Sequence, residues 1–198
     1  MWIIAGLGNP GSKYEKTRHN VGFVVIDRLS ELYGIILKEK DEYLLGKGAI
    51  EGQGAVLIKP LTFMNRSGSA VAKVLKKFNS FPGDLIIVHD DLDLDIGVIK
   101  LKKTGSSGGH KGVESVIQGT GTREFFRVKV GVGRDPDIPS EVYVLSSFRP
   151  AEKSIMKDAI IKGSDAVAAI INMGIDRAMT RYNRAAQREP MTGAGAEE

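Results

Sequence analysis

The chain contains no cysteine. That alone removes disulfides, thiolate metal sites and cysteine nucleophiles from consideration. Histidine is scarce, with only His19, His89 and His110. No apolar stretch reaches the roughly 20 residues that cross a bilayer, and Met1 leads directly into a strand-like run without the basic start of a signal peptide. The expectation is a soluble, cytoplasmic protein. Within 198 residues, 42% are hydrophobic and 26% charged, the balance of an ordinary globular domain. The length suits one domain with a real core.

What the chain has in excess is glycine, 24 residues concentrated in loops. The apolar run Trp2-Ile3-Ile4-Ala5 breaks into Gly6-Leu7-Gly8-Asn9-Pro10-Gly11, and Thr17-Arg18-His19-Asn20 follows. Gly6, Gly8 and Gly11 match the dinucleotide fingerprint literally. That motif requires its last glycine to open a helix, and here Pro10 and the stretch from Ser12 to His19 intervene. The turn is read instead as the rim of a site beyond the carboxyl end of a strand, where open α/β sheets bind ligands.

Alternating signals predict an α/β fold. Strands are expected over 2–6, 43–50, 55–59, 85–89, 125–132 and 141–145, with a hairpin turn at Glu51-Gly52-Gln53-Gly54 and a hairpin-like return over 97–102. Residues 20–33 read as a helix capped by Asn20, burying Val21, Val24, Val25, Leu29 and Leu32. Further helices are expected over 67–78, 113–118 and from Pro150 to about Asn172, with Gly174 before a last one. In 125–132, Phe126, Val128, Val130 and Val132 alternate with Arg127 and Lys129, the pattern of a half-exposed strand. The domain is expected to run over 1–188, with 189–198 disordered for want of apolar pattern.

The formal net charge is +4. Lys100, Lys102, Lys103 and Lys111 surround a glycine-rich loop, and Arg123, Arg127, Lys129 and Arg134 follow. Arg177, Arg181, Arg184 and Arg188 share one helical face, a stripe that taken alone reads more readily as a solvated surface. Two basic clusters in one small domain favour phosphate contacts.

The acidic run from Asp90 to Asp95 fails as a calcium loop, because Gly97 comes one residue late and Lys102 stands where the closing glutamate belongs. Asp90, directly after an apolar strand, is instead placed to receive an imidazole N–H and stabilise its protonated form. Gly105-Ser106-Ser107-Gly108-Gly109 matches the serine-hydrolase elbow but lacks its strand-to-helix context and a distant downstream histidine. It reads better as a backbone cradle for an anionic substrate. Asn65, before a helix, serves either as a cap or as an amide toward a peptide-like substrate.

These segments together resemble the bacterial peptidyl-tRNA hydrolase family, over nearly the whole chain up to the tail. The resemblance rests on Gly6-Leu7-Gly8-Asn9-Pro10-Gly11, Tyr14, Thr17-Arg18-His19-Asn20, Lys59-Pro60-x-Thr62-Phe63-Met64-Asn65-x-Ser67-Gly68, His89-Asp90-x-Leu92-Asp93-Leu94-x-x-Gly97 and Gly108-Gly109-His110-x-Gly112. It implies a twisted mixed sheet flanked by helices in three layers, and hydrolysis of the ester between a peptide and the terminal ribose of tRNA. By the same resemblance His19 would be the general base and Asp90 its orienter. Asn9, Tyr14, Met64, Asn65, His110 and Lys111 would contact substrate, and Lys102, Lys103 and Lys129 would meet tRNA phosphates. A monomer without metal or organic cofactor is implied. The chain departs from the family at Lys111, where asparagine is common, and lysine cannot accept a hydrogen bond. A non-catalytic RNA binder on the same scaffold is the competing reading, disfavoured by the retention of His19 and Asp90.

Overall fold

A computed structural model describes residues 1–185. The expected boundary at 188, the tail and Arg188 lie outside the described residues. Seven strands form one mixed sheet: β1 Trp2–Gly6, β2 Lys38–Lys40, β3 Tyr43–Ile50, β4 Gln53–Pro60, β5 Leu85–Asp91, β6 Ile99–Lys102 and β7 Phe126–Gly131, in the order β2-β3-β4-β1-β5-β7-β6. β1 pairs in parallel with β4 and β5, and β5 with β7. β2–β3, β3–β4 and β6–β7 are antiparallel. The four parallel strands therefore deliver their following loops to a single edge of the sheet.

Helices cover both faces, completing the three layers expected. On one face lie α1 Val21–Leu32, α5 Pro150–Met173 and α6 Ile175–Ala185, which bury Val25, Ile26, Met156, Val167 and Ile170 against Ile4, Ile86, Val88, Val128 and Val130. On the other lie α2 Ser67–Lys77 and α3 Lys111–Thr120, whose Val71, Val74, Val113 and Val116 pack on Ile3, Ala5, Ile58 and Ile87. All seven β5 residues are buried, as a central parallel strand requires.

Four expectations need correction. Residues 141–145 are not a strand: Ser140–Tyr143 is the short helix α4, with the Val142 and Tyr143 amides donating to Pro139 carbonyl. The exposed pair Val142 and Leu145 and the buried pair Tyr143 and Val144 follow a helical turn, not a two-residue alternation. The return over 97–102 does not pair with β5, whose two sides are taken by β1 and β7; β6 lies outside β7. The 125–132 strand is not half-exposed, because Arg127 is buried: it stacks on Phe125 and donates to the Gly105 and Ser106 carbonyls. In α1 the buried stripe includes Phe23 and Ile26, while Leu32 is 52% exposed. The other shifts are small: the hairpin turns on Glu51 and Gly52 alone, both with positive φ, and α3 begins at Lys111.

Candidate active site

The loop after β1 is held by direct backbone packing. A Cβ on Gly6 would lie 2.2 Å from the Gly22 carbonyl oxygen, and one on Gly22 would lie 2.4 Å from that of Val88. The first turn of α1 thus rests on the ends of β1 and β5, which only glycine permits. This approach sets Asn9 and His19, on either side of the Leu7–Asn20 connection, over the end of β5.

Asn9 is buried, and its Oδ1 accepts from the Met64 amide at 2.9 Å. Its Nδ2 makes no hydrogen bond within the described protein, so it is the free donor of this side chain. Asn20 was expected to cap α1, yet its side chain makes no capping bond. Its Oδ1 accepts from the Asn9 backbone amide at 2.8 Å, and its Nδ2 donates to the Asn9 carbonyl at 2.9 Å.

His19 lies in a 3-10 turn, Arg18–Asn20, whose backbone is tied to the segment after α4: Arg18 N–H donates to Ser146 carbonyl and His19 N–H to Val144 carbonyl. Arg18 is 1% exposed. Its guanidinium pairs with Glu152 at 2.7 Å and lies over the Tyr143 and Phe148 rings. His19 Nδ1 faces both carboxylate oxygens of Asp90, at 2.8 and 2.9 Å. The carboxylate can only accept, so Nδ1 carries the proton and Nε2 is left as the basic nitrogen.

His110 meets the same carboxylate, with Nε2 2.9 Å from Oδ1 and its ring centroid 4.9 Å from that of His19. Its Nδ1 accepts from the Gly112 and Val113 amides, capping α3. His110 is thereby held as the neutral Nε2–H tautomer. Both of its ring nitrogens are spent within the protein. Asp90 is 2% exposed. Burial alone would raise its pKa, but the imidazoles of His110 and His19 outweigh that and hold the carboxyl well below the usual carboxylate range. His89 donates Nδ1–H to the Asp90 carbonyl at 2.7 Å, packs edge-on against His110, and is kept neutral by burial.

His19, Asp90 and His110 place one ligand atom each within 4.8 Å of one another. As a metal site this set fits poorly. Metal on His110 Nε2 would require a proton on Nδ1, where two backbone N–H groups already point. The group is suited to moving a proton.

These side chains line a cleft of about 560 Å³, together with Asn9, Met64, Asn65 and Lys111. Tyr14 is not brought to the cleft lining; its ring carries the Lys13 ammonium at 4.7 Å. Lys129 lines the cleft, ion-paired with Asp91. Lys102 stands exposed beyond the cleft, beside Arg127 in the β6–β7 ladder, and Lys103 pairs with Asp176 at 3.2 Å. Asp93 pairs with exposed Arg134. Arg177 and Arg181 are exposed on α6. A second groove of about 680 Å³, between α1 and α5, includes none of the three histidines. Sequence reasoning missed two residues here: Asn20, read as a cap, and Arg18, whose only signal was its place beside His19; it named His110 as a substrate contact but not its pairing with Asp90, 20 positions away.

Comparison with known proteins points one way. The family model described as peptidyl-tRNA hydrolase matches residues 3–190. The peptidyl-tRNA hydrolase of Thermodesulfovibrio yellowstonii is 47% identical over 186 residues, covering 93% of this chain and 100% of that one. That of Brevibacillus brevis is 45% identical, covering 92% and 98%. The crystal structure of the Acinetobacter baumannii peptidyl-tRNA hydrolase superposes with a TM-score of 0.87 at 36% identity, covering 92% of this chain and 94% of that one. The chain belongs to the peptidyl-tRNA hydrolase family.

Proposed function

We propose that this chain hydrolyses the ester between a peptide and the 3′-terminal ribose of tRNA, acting as a monomer in the cytoplasm. The observation that carries the proposal is the buried Asp90 carboxylate on His19 Nδ1, in a cleft that also holds the free amide of Asn9. His19 Nε2 takes a proton from water as the oxygen attacks the ester carbonyl, and Asp90 stabilises the imidazolium that forms. Asn9 Nδ2 donates to the oxyanion of the tetrahedral intermediate. Collapse expels the ribose oxygen, which receives the proton from His19. The products are a free peptide carboxylate and tRNA with its terminal hydroxyl restored.

Met64 flanks the ester, while Asn65, His110 and Lys111 meet the peptide and the terminal nucleotide; Tyr14, outside the cleft lining, takes no part in this reading. Lys102, Lys103 and Lys129 contact tRNA phosphates, a contribution independent of sequence and sensitive to salt. The test is release of peptide from an N-blocked aminoacyl-tRNA. Replacing His19 by alanine should lower turnover about 10²- to 10⁴-fold, the usual worth of a positioned base, with tRNA still bound. Binding of tRNA without any release by the parent chain would instead make it a carrier of RNA.

A further inference from the structure

Asn20 is 2% exposed, and both of its polar atoms are used on one residue, Asn9. The pairing resembles a single rung of β-ladder made by a side chain. It engages the peptide groups on both sides of the Asn9 Cα, which restrains rotation about that residue's own backbone. With Oδ1 of Asn9 held by the Met64 amide, every polar group of Asn9 except Nδ2 is claimed. Asn20 also follows His19 directly, and its own amide is anchored on the Thr17 carbonyl. One amide therefore joins the segment carrying the base to the segment carrying the free donor.

We propose that Asn20 is a positioning residue for hydrolysis, setting the direction in which Asn9 offers its N–H relative to His19. The inference rests on the hydrolytic reading above. A helix-capping role is not available to it, since the side chain makes no capping bond. A role in fold stability alone makes a different prediction, and a double-mutant cycle separates the two. If Asn20 acts through Asn9, its loss costs nothing once the Asn9 side chain is gone.

The experiment measures kcat and KM on N-blocked aminoacyl-tRNA for the full chain, Asn9→Ala, Asn20→Ala and the double variant. Asn20→Ala is expected to lower kcat roughly 10- to 100-fold, as misplacement by about 1 Å does, with KM within about twofold. The double variant should be no more than about twofold slower than Asn9→Ala. Losses that multiply, or an Asn20→Ala variant with unchanged kcat, overturn the proposal. Should Asn20→Ala fail to fold, Asn20→Asp enters the same cycle; it keeps the acceptor for the Asn9 amide and sets a carboxylate oxygen against the Asn9 carbonyl. A parent chain without hydrolase activity sinks the function and this role together, whereas multiplying losses in an active parent sink this role alone.

Discussion

On the β1 side of the cleft, Asn9, Arg18, Asn20 and Asp90 are all buried, and each is held by named partners at hydrogen-bond distance. On the β6 side, Lys102, Lys103 and Lys111 stand exposed at the end of the edge strand, just beyond it and at the start of α3. The difference follows from what each side must do. A buried polar group is costly unless paired, so the β1 side has essentially one arrangement and can aim a base and a donor to within a fraction of an ångström. Exposed ammonium groups act through water and salt with little directional demand. Such a surface suits a long polyanion whose sequence varies.

The sharpest way to break this contrast is Asp90→Asn. A carboxamide would donate to one of the two imidazoles that now donate to Asp90, inverting the His19 tautomer and removing its basic nitrogen. Turnover should fall roughly 10³- to 10⁴-fold with little change in tRNA affinity, measured by single-turnover kinetics alongside a binding titration. On the other side, Lys102→Ala and Lys103→Ala should leave single-turnover kcat near that of the parent. Each should flatten the dependence of log affinity on log salt by about one unit; the Lys103 change should be the weaker, since Asp176 already partners it. Lys111→Asn tests the rim between the two. An altered salt dependence with unchanged chemistry would place it with the phosphate contacts, and an altered kcat would place it with the base.

The smallest effect concerns pH and stability. His89 is neutral when folded, with a pKa lowered well below 6.5 by burial. The unfolded chain therefore binds more protons as pH drops through about 6.5, and stability falls with it. Replacing His89 by phenylalanine should flatten the decline in melting temperature between pH 7.5 and 5.5. Asp90 has the opposite charge and a depressed pKa, so its contribution is present above the ordinary carboxylate range and is lost only in stronger acid.

Much of the fold was legible because its cores are periodic: Val71, Val74 and Leu75 mark α2, and the unbroken run from Leu85 to Val88 marks a strand buried on both faces. What escaped depends on neighbours far along the chain. The place of β6 was set by β7 occupying the flank of β5, and no local pattern carries that. Arg127 looked solvated until the glycine loop folded over it. In the site, Asp90 was legible from its position at a strand end, and His19 from its place behind the glycine turn. Asn20 misled because asparagine before a helix is most simply a cap, and its real partner lies 11 residues upstream.

Asp90 gathers the N–H groups of three imidazoles: His19 and His110 on its carboxylate, His89 on its carbonyl. Three rings thus behave chemically as one. His110 has no lone pair to spare, and the remaining nitrogen of His89 is sealed from solvent. An electrophile seeking imidazole, or a solvent deuteron entering the reaction, meets a single basic nitrogen. A cleft crowded with histidines thus turns a single unengaged imidazole lone pair toward its interior.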